Sequence, residues 1–178
     1  MNQSQVFDRF GGHWVGTIDF GLWYKAPGQK EYVNFKPGIQ DGSHISASDV
    51  YALVAKENGV WIGTHGGGVN FYDFNTGRIS FYHPDMGSIA DAKTLYIRTL
   101  FVDSHSNLWL GTVDGLYQLN LIDGSAKKHI SSPSSKLVLG YVYAINELSD
   151  GSLMRIFSCR ILICVLQPLP VHLRWQCG

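Results

Sequence analysis

An all-β fold follows from three features of this 178-residue sequence: abundant aromatics, abundant glycine and few charges. Five Trp, nine Tyr and nine Phe stand beside 20 Gly, while charged residues make up only 16%. Aromatic side chains suit pleated, half-buried surfaces, and glycine suits the tight turns between short strands. Formal net charge is zero, with Lys and Arg scattered, so no basic field invites nucleic acid and no charge run suggests a tail.

The organisation comes from an internal repeat. One phrase occurs three times: Trp14-Val-Gly16-Thr17, Trp61-Ile-Gly63-Thr64 and Trp109-Leu-Gly111-Thr112. A glycine and an apolar residue follow each copy, at Gly21-Leu22, Gly68-Val69 and Gly115-Leu116. Turns then recur in step at Pro27-Gly28, Thr76-Gly77 and Asp123-Gly124, each before a strand-like stretch: Tyr32 to Phe35, Ile79 to Tyr82 and Lys127 to Ile130. Strand patterns precede the second and third tryptophans, at Val50 to Val54 and Ile97 to Val102, and Val142 to Ile145 opens a fourth unit. No helical period is sustained, so each unit reads as four short antiparallel strands. That is the pattern of a propeller blade. The expected architecture is therefore an incomplete β-propeller of about three blades, near residues 10–36, 48–83 and 95–131, with another beginning at 141–153.

Each residue type has a mechanical reading. The first strand of each unit reads as apolar on both faces, the character of a strand held between neighbouring sheets. The tryptophan offers large area for blade-on-blade contact, and the glycine two residues later marks a close backbone approach.

The fourth unit departs from the pattern. Asp150-Gly-Ser-Leu153 should lead into a tryptophan phrase, and Met154-Arg-Ile-Phe-Ser-Cys159 follows instead. From there to Gly178 acidic residues vanish and all three cysteines appear, so residues 154–178 read as an aberrant, unrelated tail, the product of a shifted reading frame or a truncated gene, with a divergent final strand as the competing reading. Residues 1–153 hold no cysteine, and so need neither a disulfide nor a thiolate metal site. The first residues lack the basic-then-apolar pattern of a signal peptide, and Ile161 to Val171 is too short to span a bilayer.

The stretches Ser48 to Asp73 and Tyr96 to Tyr117 closely resemble the two-component-regulator propeller repeat: an apolar strand, a turn ending in Gly or Asn, an aliphatic residue, then Trp-aliphatic-Gly-Thr and a Gly-aliphatic pair. The resemblance covers roughly residues 10–153. It implies the extracytoplasmic, periplasmic sensor region of a hybrid histidine kinase or a diguanylate cyclase. It also implies a small carbohydrate ligand, a homodimer in the intact protein and membrane attachment through segments outside this chain. WD repeats fit less well, because no third strand ends in Trp-Asp. Kelch repeats are echoed in one unit only, and the sialidase Asp-box spacing is lost at Asp103 to Trp109.

Blade connectivity puts the loop between strands two and three on the same rim as the link from strand four to the next blade. That rim gathers Asp19, His65 and Asp114 with residues near His44, Asp85 and Ser132, and forms the candidate ligand surface. The competing reading is that these residues make turns. Tyr24, Tyr72 and Tyr117 recur on the third strand, where packing within a blade outweighs stacking on sugars. No metal-ligand spacing, hydrolase elbow, phosphate loop or kinase signature is found, so neither a cofactor nor catalysis is expected. The functional expectation is a ligand-sensing or interaction module; the alternatives are a lyase-like propeller enzyme acting on glycans and a protein-contact scaffold.

Overall fold

A computed structural model describes residues 2–82, 96–113, 115–122, 125–129, 142–157, 163–167 and 174–177. Its strands form four antiparallel sheets, each of four strands in sequence order. The first holds β1 (Asn2–Phe7), β2 (His13–Thr17), β3 (Leu22–Lys25) and β4 (Val33–Phe35). The second holds β5 (Val50–Lys56), β6 (Gly59–Thr64), β7 (Gly68–Asp73) and β8 (Arg78–Tyr82). The third holds β9 (Ile97–Val102), β10 (Asn107–Thr112), β11 (Gly115–Asn120) and β12 (Ala126–His129). The fourth holds β13 (Val142–Glu147), β14 (Leu153–Phe157), β15 (Ile163–Gln167) and β16 (Arg174–Cys177). The first strands of consecutive sheets, β1, β5, β9 and β13, pack one against the next and line a common axis.

Three sheets carry the repeated phrase, and each of its residues has a separate task. Trp14 is fully buried in a cluster with Val50, Val60, Ile62 and Ile79 of the second sheet. Trp61 shares a cluster with Ile97, Leu108 and Leu110 of the third, and Trp109 one with Val142, Ile145 and Leu153 of the fourth. Each indole thus keys its sheet to the next. The glycine sets the distance: a Cβ on Gly16 would lie 2.6 Å from Val50 Cγ1, on Gly63 2.5 Å from Ile97 Cγ2, and on Gly111 2.9 Å from Val142 Cγ1. Only a bare backbone fits at that approach. The threonine closes the following turn, its hydroxyl donating to the carbonyl of Gly21, Gly68 or Gly115 at 2.7, 2.9 and 2.9 Å respectively.

A further device fixes two of the indoles. Asp8 Oδ1 accepts the backbone N–H of Phe10 and Gly12, and its Oδ2 accepts Trp14 Nε1–H at 2.8 Å. Asp103 repeats this with His105 N, Asn107 N and Trp109 Nε1. Both carboxylates are buried, which requires that their lone pairs be met by donors.

Three expectations need correction. The first blade begins before residue 10, because Asn2–Phe7 pairs with β2 as its inner strand. The first strand is not enclosed along its length: β5 is buried only at Val50 and Ala52, whereas the second strand, β6, is buried throughout. The unit opening at Val142 also continues past Leu153. Met154 pairs with Asn146 in the register of the tryptophan, as Trp109 pairs with Phe101, and the backbone of β15 and β16 completes the ladder. An apolar run of β-prone residues pairs with an open strand edge even where the phrase is lost.

Candidate functional site

All four inner strands carry the same irregularity near their starts. Val50 faces Thr64 and Ala52 faces Gly63, so Tyr51 is an extra residue in the ladder. Arg98 is extra between Ile97 and Thr99, Tyr143 between Val142 and Ala144, and Gln3 between Asn2 and Ser4. Such one-residue bulges bend a strand and re-aim a side chain. Here Tyr51, Arg98 and Tyr143 are brought together with Ser4, Leu53 and Leu100 around a cavity of about 390 Å³. The bulge residues stand at the ends of the inner strands beside the strand-two-to-three loops, since Val50 pairs with Thr64 and Ile97 with Thr112.

The cluster has internal order. The Arg98 guanidinium carbon sits 4.6 Å from the centroid of the Tyr51 ring, within cation–π range. His65 lies between two tyrosines, its ring 5.2 Å from Tyr51 and 4.3 Å from Tyr96. Burial holds the His65 imidazole below its ordinary pKa, Arg98 adds to the effect, and Asp49 opposes it. Ser4 Oγ is buried and has no hydrogen-bond partner among the described residues. One cation, two phenols, a hydroxyl and apolar walls therefore converge on one concave surface, the make-up of a small-molecule pocket.

The rim residues expected from sequence divide. His65 joins the cluster, and its backbone N–H donates to the Asp49 carbonyl. Asp19 adopts a left-handed turn (φ 69°) and its N–H donates to Asp49 Oδ1, a turn-making role. His44 is not brought in: its Nδ1 lies 2.8 Å from Asp41 Oδ1 in a loop that bonds to Ile79 and Arg78 of β8. Hydrogen bonds from His44 and Ser43 hold the Asp41 carboxyl well below the usual carboxylate range. Asp114, Asp85 and Ser132 fall outside the described residues. The three strand-three tyrosines pack inside the sheets. Tyr24 stacks on Trp14 at 4.2 Å, Tyr72 lies 4.8 Å from it, and Tyr117 is buried. Burial, and then the charge of Asp8, push the Tyr24 and Tyr72 phenols up.

Tyr51, Arg98 and Tyr143 escaped the sequence reading because a bulge leaves no mark in periodicity. The available signal was positional: each follows the first buried aliphatic of its unit, Val50, Ile97 or Val142. A second hollow, of about 520 Å³, lies between His13, Val15, Trp23 and Tyr32. It is on the face of the first sheet turned away from Trp14, where a neighbouring blade packs in a complete ring.

No protein-family model matches the chain, and no curated protein sequence matches it. Solved structures do. The fold resembles part of the extracellular domain of a one-component system from B. thetaiotaomicron (TM-score 0.68, 20% identity), covering 87% of this chain and 20% of that one. It resembles the extracellular domain of a hybrid two-component system from the same organism (TM-score 0.64, 16% identity), covering 99% of this chain and 28% of that one. PorZ, a surface component of the type-IX secretion system of Porphyromonas gingivalis, aligns at TM-score 0.69 and 15% identity, covering 87% of this chain and 24% of PorZ. The chain thus spans a fifth to just over a quarter of these proteins, and the likeness establishes the propeller-type fold expected from the repeat.

Proposed function

We propose that this chain is part of a ligand-sensing propeller of a bacterial signalling protein. In this reading a small molecule is taken at the mouth of the axis, and catalysis, if any, resides in other segments of the parent. The observation that carries the reading is the bulge repeated in β1, β5, β9 and β13, which turns one residue per sheet out of the ladder at the same place. Sheet stacking alone does not call for it, since the keying contacts are made by Trp, Gly and the first aliphatic of each inner strand. The extracellular sensor-type domains among the structural neighbours support the same reading, as well as a periplasmic or extracellular setting for the parent. Ligand binding would bias the spacing of the inner strands and so pass a conformational preference onward.

The test is thermal-shift screening of the full 178-residue chain against mono- and oligosaccharides, amino acids and organic acids, with calorimetry on any hit. Saturable binding that is lost in Tyr51→Ala and Tyr143→Ala, and kept in Lys56→Ala at the far end of β5, supports the proposal. Binding indifferent to both tyrosines places the site elsewhere, and the absence of any ligand across the panel overturns it.

A further inference from the structure

We propose that the outward face of the first sheet docks a second copy of this chain: it takes the fourth sheet of that copy, and two four-sheet arcs close into one ring. This is independent of the ligand site above. The side of each sheet that receives the preceding tryptophan is aliphatic at the inner junctions, where Val60, Ile62 and Ile79 meet Trp14, and Leu108 and Leu110 meet Trp61. The same side of the first sheet, opposite Trp14, carries Phe7, His13, Val15, Trp23 and Tyr32, and among the described residues no sheet covers it. Phe7 is 65% exposed and stacks on His13 at 4.4 Å. Both His13 ring nitrogens are matched within the sheet, Nδ1 with the Tyr32 hydroxyl at 2.8 Å and Nε2 with Gln5 Oε1 at 3.2 Å. Protein can therefore bury the imidazole without stranding a donor, and an exposed aromatic patch of this kind marks an interaction surface.

The fourth sheet carries the complementary change. Leu153 lies with Trp109 against the third sheet, so Met154, next along β14, turns to the outward side, half-buried and in the tryptophan register. At the inner junctions the entering group is an indole and the receiving side aliphatic. At the two outward faces the indole, Trp23, is on the receiving side and the entering group is a flexible thioether. Methionine fills irregular hollows, such as the one of about 520 Å³ beside Trp23, and its sulfur packs favourably on an aromatic edge. The size of the arc agrees. Its likeness to the WD40 β-propeller domain of Doa1 (TM-score 0.59, 12% identity) covers 86% of this chain and 47% of that one, so two such arcs make up about one ring. Twice four sheets falls within the range of about four to eight blades in closed propellers. A contact between unlike faces closes when its rotation returns to the start, here after two copies.

The experiment is sedimentation velocity on the full 178-residue chain over a dilution series, with Trp23→Glu on the receiving face and Met154→Glu on the entering one. The expected result is a discrete monomer–dimer equilibrium, its dissociation constant raised roughly tenfold or more by either substitution. Tyr32→Glu, at the exposed margin of the receiving face, is a second variant there, and circular dichroism identifies the chains that fold. A mixture of the Trp23→Glu and Met154→Glu chains should associate more than either alone, because one junction is then wholly native. A monomer at every concentration, open-ended polymers, a dimer indifferent to substitutions on both faces, or a mixture no more associated than its components overturns the proposal.

Discussion

The Trp109 indole N–H donates to Asp103 Oδ2 at 2.7 Å, six residues back on the same hairpin. That carboxylate also accepts two backbone N–H groups and the Asn107 side-chain amide. The bond therefore ties the turn between β9 and β10 to the side chain that keys the third sheet to the fourth. Asp103→Ala leaves several buried donors without an acceptor, and should cost about 2 to 4 kcal/mol in urea unfolding. Asp103→Asn is instructive as well, because its amide N–H₂ would face two donors; a loss of about 1 to 3 kcal/mol is expected. A neutral outcome for both variants would show that the carboxylate does not hold the indole.

The glycine of the repeated phrase makes a second, separable prediction. Gly63→Ala places a methyl 2.5 Å from Ile97 Cγ2, across the junction of the second and third sheets. Overpacking of this kind typically costs about 1 to 3 kcal/mol. In Ile97→Ala the obstructing methyl is gone, so Gly63→Ala should cost markedly less in that background. A double-mutant cycle on unfolding free energies measures the coupling. Strict additivity would mean that the two residues do not meet.

Much of this was legible in the sequence. Three copies of one phrase, with turns in step, announced four-stranded sheets stacked in series. The aspartate partners of Trp14 and Trp109 were hidden because the turn before Trp61 is one residue shorter, so the spacing does not repeat in the second sheet. The first strand of the first sheet was hidden because Asn2 to Phe7 is polar for a strand and precedes any copy of the phrase. The axis cluster was illegible for a different reason. A bulge depends on pairing between strands, and periodicity along one strand carries no trace of it.

The fourth sheet offers a gain-of-stability test. Its first hairpin has the hydrogen bonds of the third sheet's, Leu148 N–H to Ser152 carbonyl and Gly151 N–H to Leu148 carbonyl, with Leu148 where Asp103 stands. Met154 occupies the tryptophan register. Leu148→Asp combined with Met154→Trp restores the pair, and should be more stable than the sum of the single changes by about 1 kcal/mol. Thermal melts of the four chains decide it; the absence of positive coupling would mean that the fourth hairpin does not share the geometry.

Stability should also depend on pH through His65. Its imidazole pKa is lowered in the fold, so the unfolded chain binds more protons at mildly acidic pH. The His65 contribution is therefore intact above the ordinary imidazole range and is lost as pH falls through that range toward the depressed value. The lowered carboxyls of Asp41 and Asp150 act in the same direction, but only further down, as pH falls below the usual carboxylate range. Melting temperatures measured from about pH 8 to about pH 5 should fall in the native chain and fall less in His65→Gln. Parallel curves would remove His65 from the account.

The arrangement of Tyr51, Arg98 and Tyr143 around one mouth requires that each sheet press its glycine onto the first residue of the next inner strand. Methyl-labelled NMR of the full chain reads this directly. Nuclear Overhauser contacts are predicted from the α-protons of Gly16, Gly63 and Gly111 to the methyls of Val50, Ile97 and Val142 respectively. Observing all three would place the inner strands side by side along one axis, and their absence in a folded chain would contradict the stack and the site built on it.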